Sequence, residues 1–352
     1  MSACSSLRVA VVSNRKHSVH AAEGAPPDAL AEYDADITVE TIRDVLSARG
    51  HTVWLLEADA TLLDTVRETM PDICFNLAEG LHGDSRESHV PALLETLRIP
   101  YTASKVLTHA ISLDKVVTKR MWRDQGLPTA PFQAFTRAEA ELDPRLSFPL
   151  FVKPVREGSG MGINSRSLVH TLGELREQVA WVINTYRQPA LVEMFLPGRE
   201  FTVGLVGNAR QPGQPRRSEF YDERGYHVFP VLEIDTGRGA VRGIYNAEAK
   251  SYAIEDESAP GYLCPADIDA NLEMTLRRLA VDAFEAIGAL DVSRVDFRLG
   301  PEGEPYLVEI NTLPGMNPLV SDLVIVSRTE GVAYEVLINE VLDLARERYG
   351  LL

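Results

Sequence analysis

Short β-rich segments alternate with segments of helical periodicity in the N-terminal part of the chain, and this alternation constrains the fold more than any other feature. Residues 7–13 and 72–77 have the composition of buried strands, while 38–49 repeats apolar side chains at helical spacing and ends at Gly50. Strands that alternate with helices form βαβ units around a parallel sheet. The sequence therefore predicts an N-terminal doubly wound parallel-sheet domain over residues 1–105.

Two further units are expected after this domain, and both mix helices with other strands. Residues 106–197 contain a helix from Lys115, a strand that leads into a glycine-rich stretch, and a further helix followed by a strand. Residues 198–352 contain several strands, a long helix over 268–287, a β-hairpin and a closing helix. The chain is thus expected to combine α/β and α+β architecture in three parts.

Charge and composition limit the partners that the chain can have. Of 352 residues, 45% are hydrophobic and 24% are charged, which is typical of a soluble globular protein. A net charge of −16 disfavours nucleic acid as a partner but allows a nucleotide in a local basic pocket. The cysteines lack metal-site spacing, and no signal peptide or membrane-spanning segment is evident. We therefore expect a cytoplasmic protein that binds small molecules, with no nucleic acid or membrane partner.

The segment 293–311 predicts a β-hairpin with a metal-binding face. Side chains alternate between the two faces of a strand. Arg294 and Asp296 therefore share one face of the first strand, and Glu309 and Asn311 share one face of the second. Asp296, Glu309 and Asn311 supply the hard oxygen ligands that Mg²⁺ prefers, which leaves Arg294 to stabilise developing negative charge. The alternative is a solvated charged face, and ligands two residues apart on both strands make it the weaker interpretation.

A glycine-rich segment, EGSGMG at 157–162, follows a strand that ends in Lys153. Glycine allows backbone N–H groups to approach phosphates closely. The segment matches neither a dinucleotide-binding fingerprint nor a P-loop, and Lys153 precedes it, unlike the lysine of protein kinases. A lysine that closes an apolar strand needs an anionic partner, so Lys153 is a candidate phosphate ligand. Lys115 and Lys250 alone would be interpreted as solvated surface lysines.

The segment 191–203 runs from one strand into the next through a short connection. A chain that leaves a strand between two domains can present backbone groups to an adenine ring, and Glu200, seven residues after Glu193, can hold a ribose hydroxyl pair. Taken alone, the segment is better explained as a plain strand–loop–strand connection.

Together these motifs resemble the ATP-grasp superfamily and, more narrowly, the D-alanine–D-alanine ligase family. The resemblance covers nearly the whole chain from about residue 70 and implies an ATP-grasp fold preceded by the parallel-sheet domain. The matching motifs are LHG at 81–83, Glu87, IPYTAS at 99–104, LDK at 113–115, FVKPVREGSGMG at 151–162, LVEMFLPGREFTV at 191–203, AEAK at 247–250, SRVDF at 293–297 and LVEINTLPGMNP at 307–318.

The resemblance implies an ATP-dependent carboxylate–amine ligase that forms an acyl phosphate and releases ADP and phosphate. It also implies a homodimer, and two Mg²⁺ ions, or Mn²⁺, held by Asp296, Glu309 and Asn311. The implied ATP contacts are Lys115, Lys153, Ser159, Glu193, Phe195, Leu196, Glu200 and Lys250. The implied catalytic groups are Arg294, the backbone of Gly315, and Ser159 in a loop that closes over the site.

The sequence departs from the family pattern where substrates would bind. The N-terminal motif whose glutamate holds the first substrate's ammonium is missing, and SNRKHSVH at 13–20 continues into a long loop. Ser251 stands where a tyrosine is expected after AEAK, and Ser321 is displaced by one position. We therefore expect altered substrates, with Glu79, Glu87, Ser251 and Ser321 as candidate contacts. The alternatives are a true D-alanine–D-alanine ligase and, from a different class, a non-catalytic ATP-binding regulator.

Overall fold

A parallel sheet organises the N-terminal part of the computed structural model, which describes residues 6–20, 24–211, 213–237 and 261–352. Its strands are β1 (Arg8–Ser13), β2 (Thr52–Glu57) and β3 (Ile73–Asn76), in the order β2-β1-β3. All of its strand pairs are parallel. Helices α1 (Asp36–Ala48) and α2 (Leu62–Thr69) connect the strands, so the predicted βαβ arrangement is confirmed.

Both faces of this sheet are covered, because strand side chains alternate between them. Val9 and Val11 of β1 pack on the same side as α1. Ala10 and Val12 pack on the side of α2 and of α3 (His89–Leu97), which follows a 3₁₀ turn over Arg86–Ser88. Such two-sided burial explains why β1 is continuously apolar.

An antiparallel sheet forms the middle of the chain. Helices α4 (Val106–Leu113) and α5 (Lys115–Asp124) lead into it. Its strands are β4 (Phe132–Phe135), β5 (Leu150–Pro154), β6 (Leu168–Val169) and β7 (Ala190–Met194), in the order β4-β7-β5-β6. Helix α6 (Leu172–Tyr186) packs on one face. The glycine-rich loop over 156–162, which immediately follows β5, is thereby held at the edge of this sheet.

A second antiparallel sheet dominates the C-terminal part. Its strands are β8 (Glu200–Gly207), β9 (Tyr226–Val228), β10 (Leu232–Asp235), β11 (Gly261–Leu263), β12 (Asp291–Leu299) and β13 (Pro305–Asn311). They lie in the order β11-β10-β8-β12-β13, with β9 also paired to β8. Helix α7 (Ala270–Ala286) covers one face, and α8 (Asp322–Thr329) and α9 (Tyr334–Arg348) cover the other.

The last helix packs against the first, which brings the C-terminal part of the chain onto the N-terminal part. Helix α9 packs against α1 in a core shared with the parallel sheet, and Arg49 Nη2 lies 2.7 Å from Asp343 Oδ2 across this contact. The strands of the three sheets fall at 8–76, 132–194 and 200–311. The exact domain limits at 105 and 197 remain predictions. None of the helices within the described ranges is long and apolar enough to cross a membrane.

Candidate active site

The hairpin of β12 and β13 brings four polar side chains to one place. Its register pairs Arg294 with Asn311 and Asp296 with Glu309. A β-bulge follows Asp296, so the ladder is irregular beside it. Each strand thus presents on one face the pair of residues that alternation predicted, and the bulge sets the carboxylates of Asp296 and Glu309 side by side.

Asp296 accepts four hydrogen bonds from three side chains. Arg294 donates to it twice, from Nε to Oδ1 over 2.9 Å and from Nη2 to Oδ2 over 3.0 Å. Thr202 Oγ1 donates to Oδ1 over 2.5 Å, and Asn311 Nδ2 donates to Oδ2 over 3.2 Å. The acceptor capacity of the carboxylate is therefore filled by the chain itself.

Arg294 carries its charge between two carboxylates. Its Nη1 lies 3.4 Å from Asp322 Oδ2, at the first residue of α8. Burial alone would lower the pKa of Arg294, but Asp296 and Asp322 outweigh it and hold the pKa well above its ordinary value. The guanidinium is thus a permanent cation, fixed in orientation.

The hairpin fits a magnesium ion by the chemistry of its donors. In the parts of the chain that the structure describes, no three His, Cys, Asp or Glu side chains gather in a metal-holding group. Mg²⁺ commonly uses one or two carboxylates and takes its remaining ligands from water and substrate phosphates. Asp296, Glu309 and Asn311 match that smaller set, and Arg294 and Asn311 would have to release Asp296 for a metal to bind it.

Lys115 connects the hairpin to the glycine-rich loop. It is the first residue of α5, directly after the N-cap Asp114, whose carboxylate accepts hydrogen bonds from the backbone of Val116 and Val117. Its Nζ donates to the carbonyl of Glu157 over 2.6 Å and lies 3.3 Å from Glu309 Oε2. One lysine thus spans both walls of the phosphate region.

Lys153 lies in a buried charge triad. Its Nζ is 2.7 Å from Glu193 Oε1, and Lys119 Nζ is 2.9 Å from Glu193 Oε2. Burial would raise the pKa of Glu193, but the two lysines lower it to about 2. Burial lowers the pKa of Lys119, while Glu193 and Glu309 outweigh burial and raise that of Lys153. The anionic partner predicted for Lys153 is therefore present within the chain.

A small cavity of about 60 Å³ lies between the glycine-rich loop and the hairpin. Its lining brings together some of the predicted phosphate, ribose and metal contacts, while Ser159 and Asn311 line a second cavity. The lining residues include Lys115, Lys153, Gly160, Met161, Glu200, Asp296 and Glu309. Five residues singled out in four separate motifs therefore meet around one space.

A larger cavity of about 250 Å³ adjoins it, and Lys115 and Glu309 line both. We call it the inner cavity. Ser159, Arg294, Gly315 and Ser321 line it on one side, and Glu79 and Glu87 on the other. Asn317 N donates to Ser321 Oγ over 2.8 Å, which fixes that hydroxyl at the start of α8. Every predicted catalytic residue and three of the four predicted substrate contacts thus share one cavity.

The acidic side of the inner cavity is poorly compensated. Burial and the carboxylates of Glu87, Glu32 and Asp34 raise the pKa of Glu79 well above its ordinary value. Burial likewise raises the pKa of Glu87 to about 8, although Arg86 acts against it. Burial raises the pKa of Asp34 to about 7. Ionising Glu79 and Glu87 together in this buried place is therefore unfavourable, and a cation in the cavity would favour their charged forms.

The predicted adenine contacts lie beside the small cavity. Phe195 stacks on Phe151 with ring centroids 6.4 Å apart, and the Arg298 guanidinium lies 5.5 Å from the Phe195 ring centre. Arg298 Nη1 is also 3.5 Å from Glu200 Oε2. Leu196 is buried. Lys250 and Ser251 lie outside the described residues.

Sequence reasoning missed several charged residues around the site. The sequence did contain a signal for Lys119, because it lies one helical turn after Lys115 and therefore lies on the same face of the helix. Asp28, Glu32 and Arg86 gave none, since the turns that hold Asp28 and Glu32 and the single 3₁₀ turn that holds Arg86 are too short to show periodicity. They matter because they contact the glycine-rich loop although they are far from it in sequence.

Comparisons with known proteins relate the chain to D-alanine–D-alanine ligases. Residues 121–343 match the family model of the D-ala D-ala ligase C-terminus. The chain is 35% identical to an uncharacterized protein, y4sG, of Sinorhizobium fredii, over 97% of this chain and 98% of that protein. It is 34% identical to a D-alanine–D-alanine ligase of Nitrosococcus oceani, over 76% of each.

A solved structure extends the similarity in fold to almost the whole chain. The D-alanine–D-alanine ligase of Bacillus anthracis, solved in complex with ATP, superposes with a TM-score of 0.71 at 19% identity. The match covers 98% of this chain and 99% of that one. At this identity the match establishes the shared fold.

Proposed function

Because the chain belongs to the D-alanine–D-alanine ligase family of ATP-dependent, ADP-forming ligases, we propose that it joins two amino-acid-like substrates by a peptide bond through an acyl phosphate. The observation that supports this best is the contact between the two cavities. Lys115 and Glu309 line both, so a phosphoryl group held in the small cavity would border a substrate in the inner one.

The small cavity would hold the phosphates of ATP. Lys115 and Lys153 would contact them as fixed positive charges, because their ion pairs with Glu309 and Glu193 already orient their ammonium groups. Asp296, Glu309 and Asn311 would hold Mg²⁺, which supplies charge neutralisation of the phosphate oxygens. Lys250, which the family pattern assigns to the γ-phosphate, would complete the set. The adenine and ribose would lie toward Phe195, Leu196 and Glu200.

The reaction would occur in two displacements. A carboxylate oxygen of the acid substrate attacks the γ-phosphorus, the bond from phosphorus to the bridging oxygen breaks, and ADP leaves. The amine of the second substrate then attacks the acyl carbon and loses a proton, and the carbon–oxygen bond to phosphate breaks. Negative charge develops on oxygen in both steps, and Arg294 and the Gly315 backbone line the cavity where it would develop.

The acidic side of the inner cavity would recognise the ammonium of a substrate. Glu79 and Glu87 have raised pKa values because of burial and mutual repulsion, so an ammonium group between them would relieve an unfavourable charge arrangement. Ser321 and Ser251 would contact the other substrate. This replaces the missing N-terminal glutamate and supports substrates other than two D-alanines.

The decisive experiment supplies purified protein with ATP, Mg²⁺ and a panel of D- and L-amino acids, singly and in pairs. ADP release would be followed enzymatically, and the product would be identified by mass. Turnover with a pair that excludes D-alanine supports altered specificity, and turnover with D-alanine alone identifies a true D-alanine–D-alanine ligase. Tight ATP binding without turnover on any pair would contradict the ligase proposal and favour a regulator.

A further inference from the structure

Residues 24–35 form a strap that runs beside the glycine-rich loop. The strap consists of consecutive turns, with Ala31 N donating to Asp28 O over 2.9 Å. Its end is anchored to the parallel sheet, because Asp34 N donates to Asn14 O over 3.0 Å and Lys16 N donates to Asp34 O over 2.9 Å. The strap is therefore fixed at the tip of β1 and reaches across to the middle sheet.

Two carboxylates of the strap bind backbone N–H groups of the glycine-rich loop. Gly162 N donates to Asp28 Oδ2 over 2.9 Å, and Tyr186 Oη donates to Asp28 Oδ1 over 2.8 Å. Gly158 N donates to Glu32 Oε1. Both ends of the loop are thus held from the N-terminal part of the chain, by residues more than a hundred positions away in sequence.

Arg86 reinforces the contact at Glu32. Its Nη2 donates to Glu32 Oε2 over 2.6 Å and lies 3.1 Å from Glu157 Oε2. Its Nη1 donates to the carbonyl of Arg156 over 2.8 Å. All three side chains are largely buried, and charge-assisted hydrogen bonds are the strong ones. Arg86 therefore links strap and loop through a compact ion pair.

The contact with Glu32 leaves no room for a side chain at position 158 unless the Glu32 carboxylate moves. A Cβ at that position would lie 2.5 Å from Glu32 Oε1. The segment of the loop that includes Ser159 therefore lies between two backbone groups, Gly158 N and Gly162 N, that the strap holds.

The strap also divides two cavities. Glu32 and Tyr33 line the inner cavity and, on their other side, an outer cavity of about 790 Å³. The outer cavity is bounded by His82, Arg156 and Tyr186 among others. Movement of the strap would join the two spaces and at the same time release the glycine-rich loop.

We propose that Asp28 and Glu32 are positioning residues that hold the glycine-rich loop closed over the reacting groups, and that release of the strap opens the inner cavity to the outer one. We call these two residues the clamp. The contacts described above support the clamp, and its effect on an acyl phosphate rests on the proposed function. Closure would exclude water from the acyl phosphate, which water would otherwise hydrolyse to the free acid and phosphate.

The test compares Asp28→Ala and Glu32→Ala with Asp36→Ala, a matched control. Asp36 begins α1 and pairs with the exposed His17, outside the cavities. Hydrogen exchange of peptides over 156–163 would be measured on the full chain without substrates. Each clamp variant should exchange roughly tenfold faster there than wild type, as expected for loss of one charge-assisted hydrogen bond. The control should be unchanged, and unchanged exchange in both clamp variants would overturn the proposal.

The second measurement is the ratio of ADP released to peptide formed. Wild type should give a ratio near one, and the clamp variants a ratio of several, with peptide yield lost to hydrolysis. A general loss of stability would lower both products equally and leave the ratio at one, which would contradict a positioning role. A wild type that forms no peptide would reject the proposed function, while the exchange data would still test the clamp. If one variant fails to fold, the other acts on the same loop from its opposite end.

Discussion

The active site has a phosphate end, around the small cavity, and a substrate end, on the acidic side of the inner cavity, and the two differ in how their charged groups are paired. At the phosphate end, Lys153 and Asp296 are each satisfied by partners within the chain. At the substrate end, burial raises the pKa of Glu79 and of Glu87, and the charge of Glu87 adds to the rise at Glu79. The charges of the phosphate end are therefore already paired within the chain, and Asp296 must exchange its contacts with Arg294 and Asn311 for a metal. The substrate end is instead arranged so that a cation would stabilise it.

This difference explains how one fold can keep its chemistry and change its substrates. Preorganised charges stabilise developing charge without a cost of rearrangement during the reaction. Repelling carboxylates instead favour whichever ligand brings positive charge, so the affinity of the site depends on the ligand. Changes at one end should consequently alter turnover or stability, and changes at the other should alter affinity for the substrate.

The largest effect is expected at Arg294. Arg294→Ala removes a fixed donor to developing negative charge and should lower kcat by about 10²–10³, or about 3 kcal/mol of barrier. Steady-state ADP release with the accepted substrates would measure it. Arg298→Ala is the control, because Arg298 lies on the same strand and pairs with Glu200 beside the small cavity. It should alter the KM for ATP more than kcat. A kcat near that of wild type in Arg294→Ala would show that Arg294 does not stabilise the reacting groups.

The next effect concerns stability and the triad of Lys119, Lys153 and Glu193. Glu193→Gln leaves two buried lysines without their shared anion and should cost about 3 kcal/mol of unfolding free energy. Lys119→Met leaves one balanced pair and should cost less than half as much. Chemical denaturation of both variants measures the difference. Equal losses would mean that hydrogen bonding, and not charge balance, holds the triad together.

The hairpin could be predicted from the sequence, whereas the strap could not. Alternation along each strand puts Arg294 and Asp296, and likewise Glu309 and Asn311, on a shared face, while the bulge beside Asp296 sets which residue it faces across the ladder. Asp28 and Glu32 lie in a segment without periodicity and bind a loop far away in sequence. The charge balance of the substrate end also required the fold, because the pKa of Glu87 depends on which groups are buried with it.

A further prediction concerns pH and the stability of the substrate end. Folding raises the pKa of Glu87 from about 4.5 to about 8, so the folded state binds one proton more between these values. The stabilisation from this group is complete below about pH 4.5 and is lost as pH rises through 8. Glu87→Gln does not titrate. Between pH 6 and 8 its unfolding free energy should therefore rise relative to wild type by about 2 kcal/mol, measured by denaturation without substrates. A constant difference across this range would show that Glu87 is ionised throughout.

The smallest predicted effect separates the two ends most directly. Glu79→Gln removes one charge that would bind the substrate ammonium, and the KM for that substrate should rise about tenfold, which is the scale of one hydrogen bond to a charged group. The KM for ATP should stay within about twofold, because Glu79 does not line the small cavity. Lys153→Met is the reciprocal variant, and it should raise the KM for ATP while the KM for the substrate whose ammonium Glu79 would bind stays unchanged. If each variant instead raised both KM values, the charges of the two cavities would be coupled through Lys115 and Glu309. The proposal that one end binds ATP and the other binds the substrate ammonium independently would then be wrong.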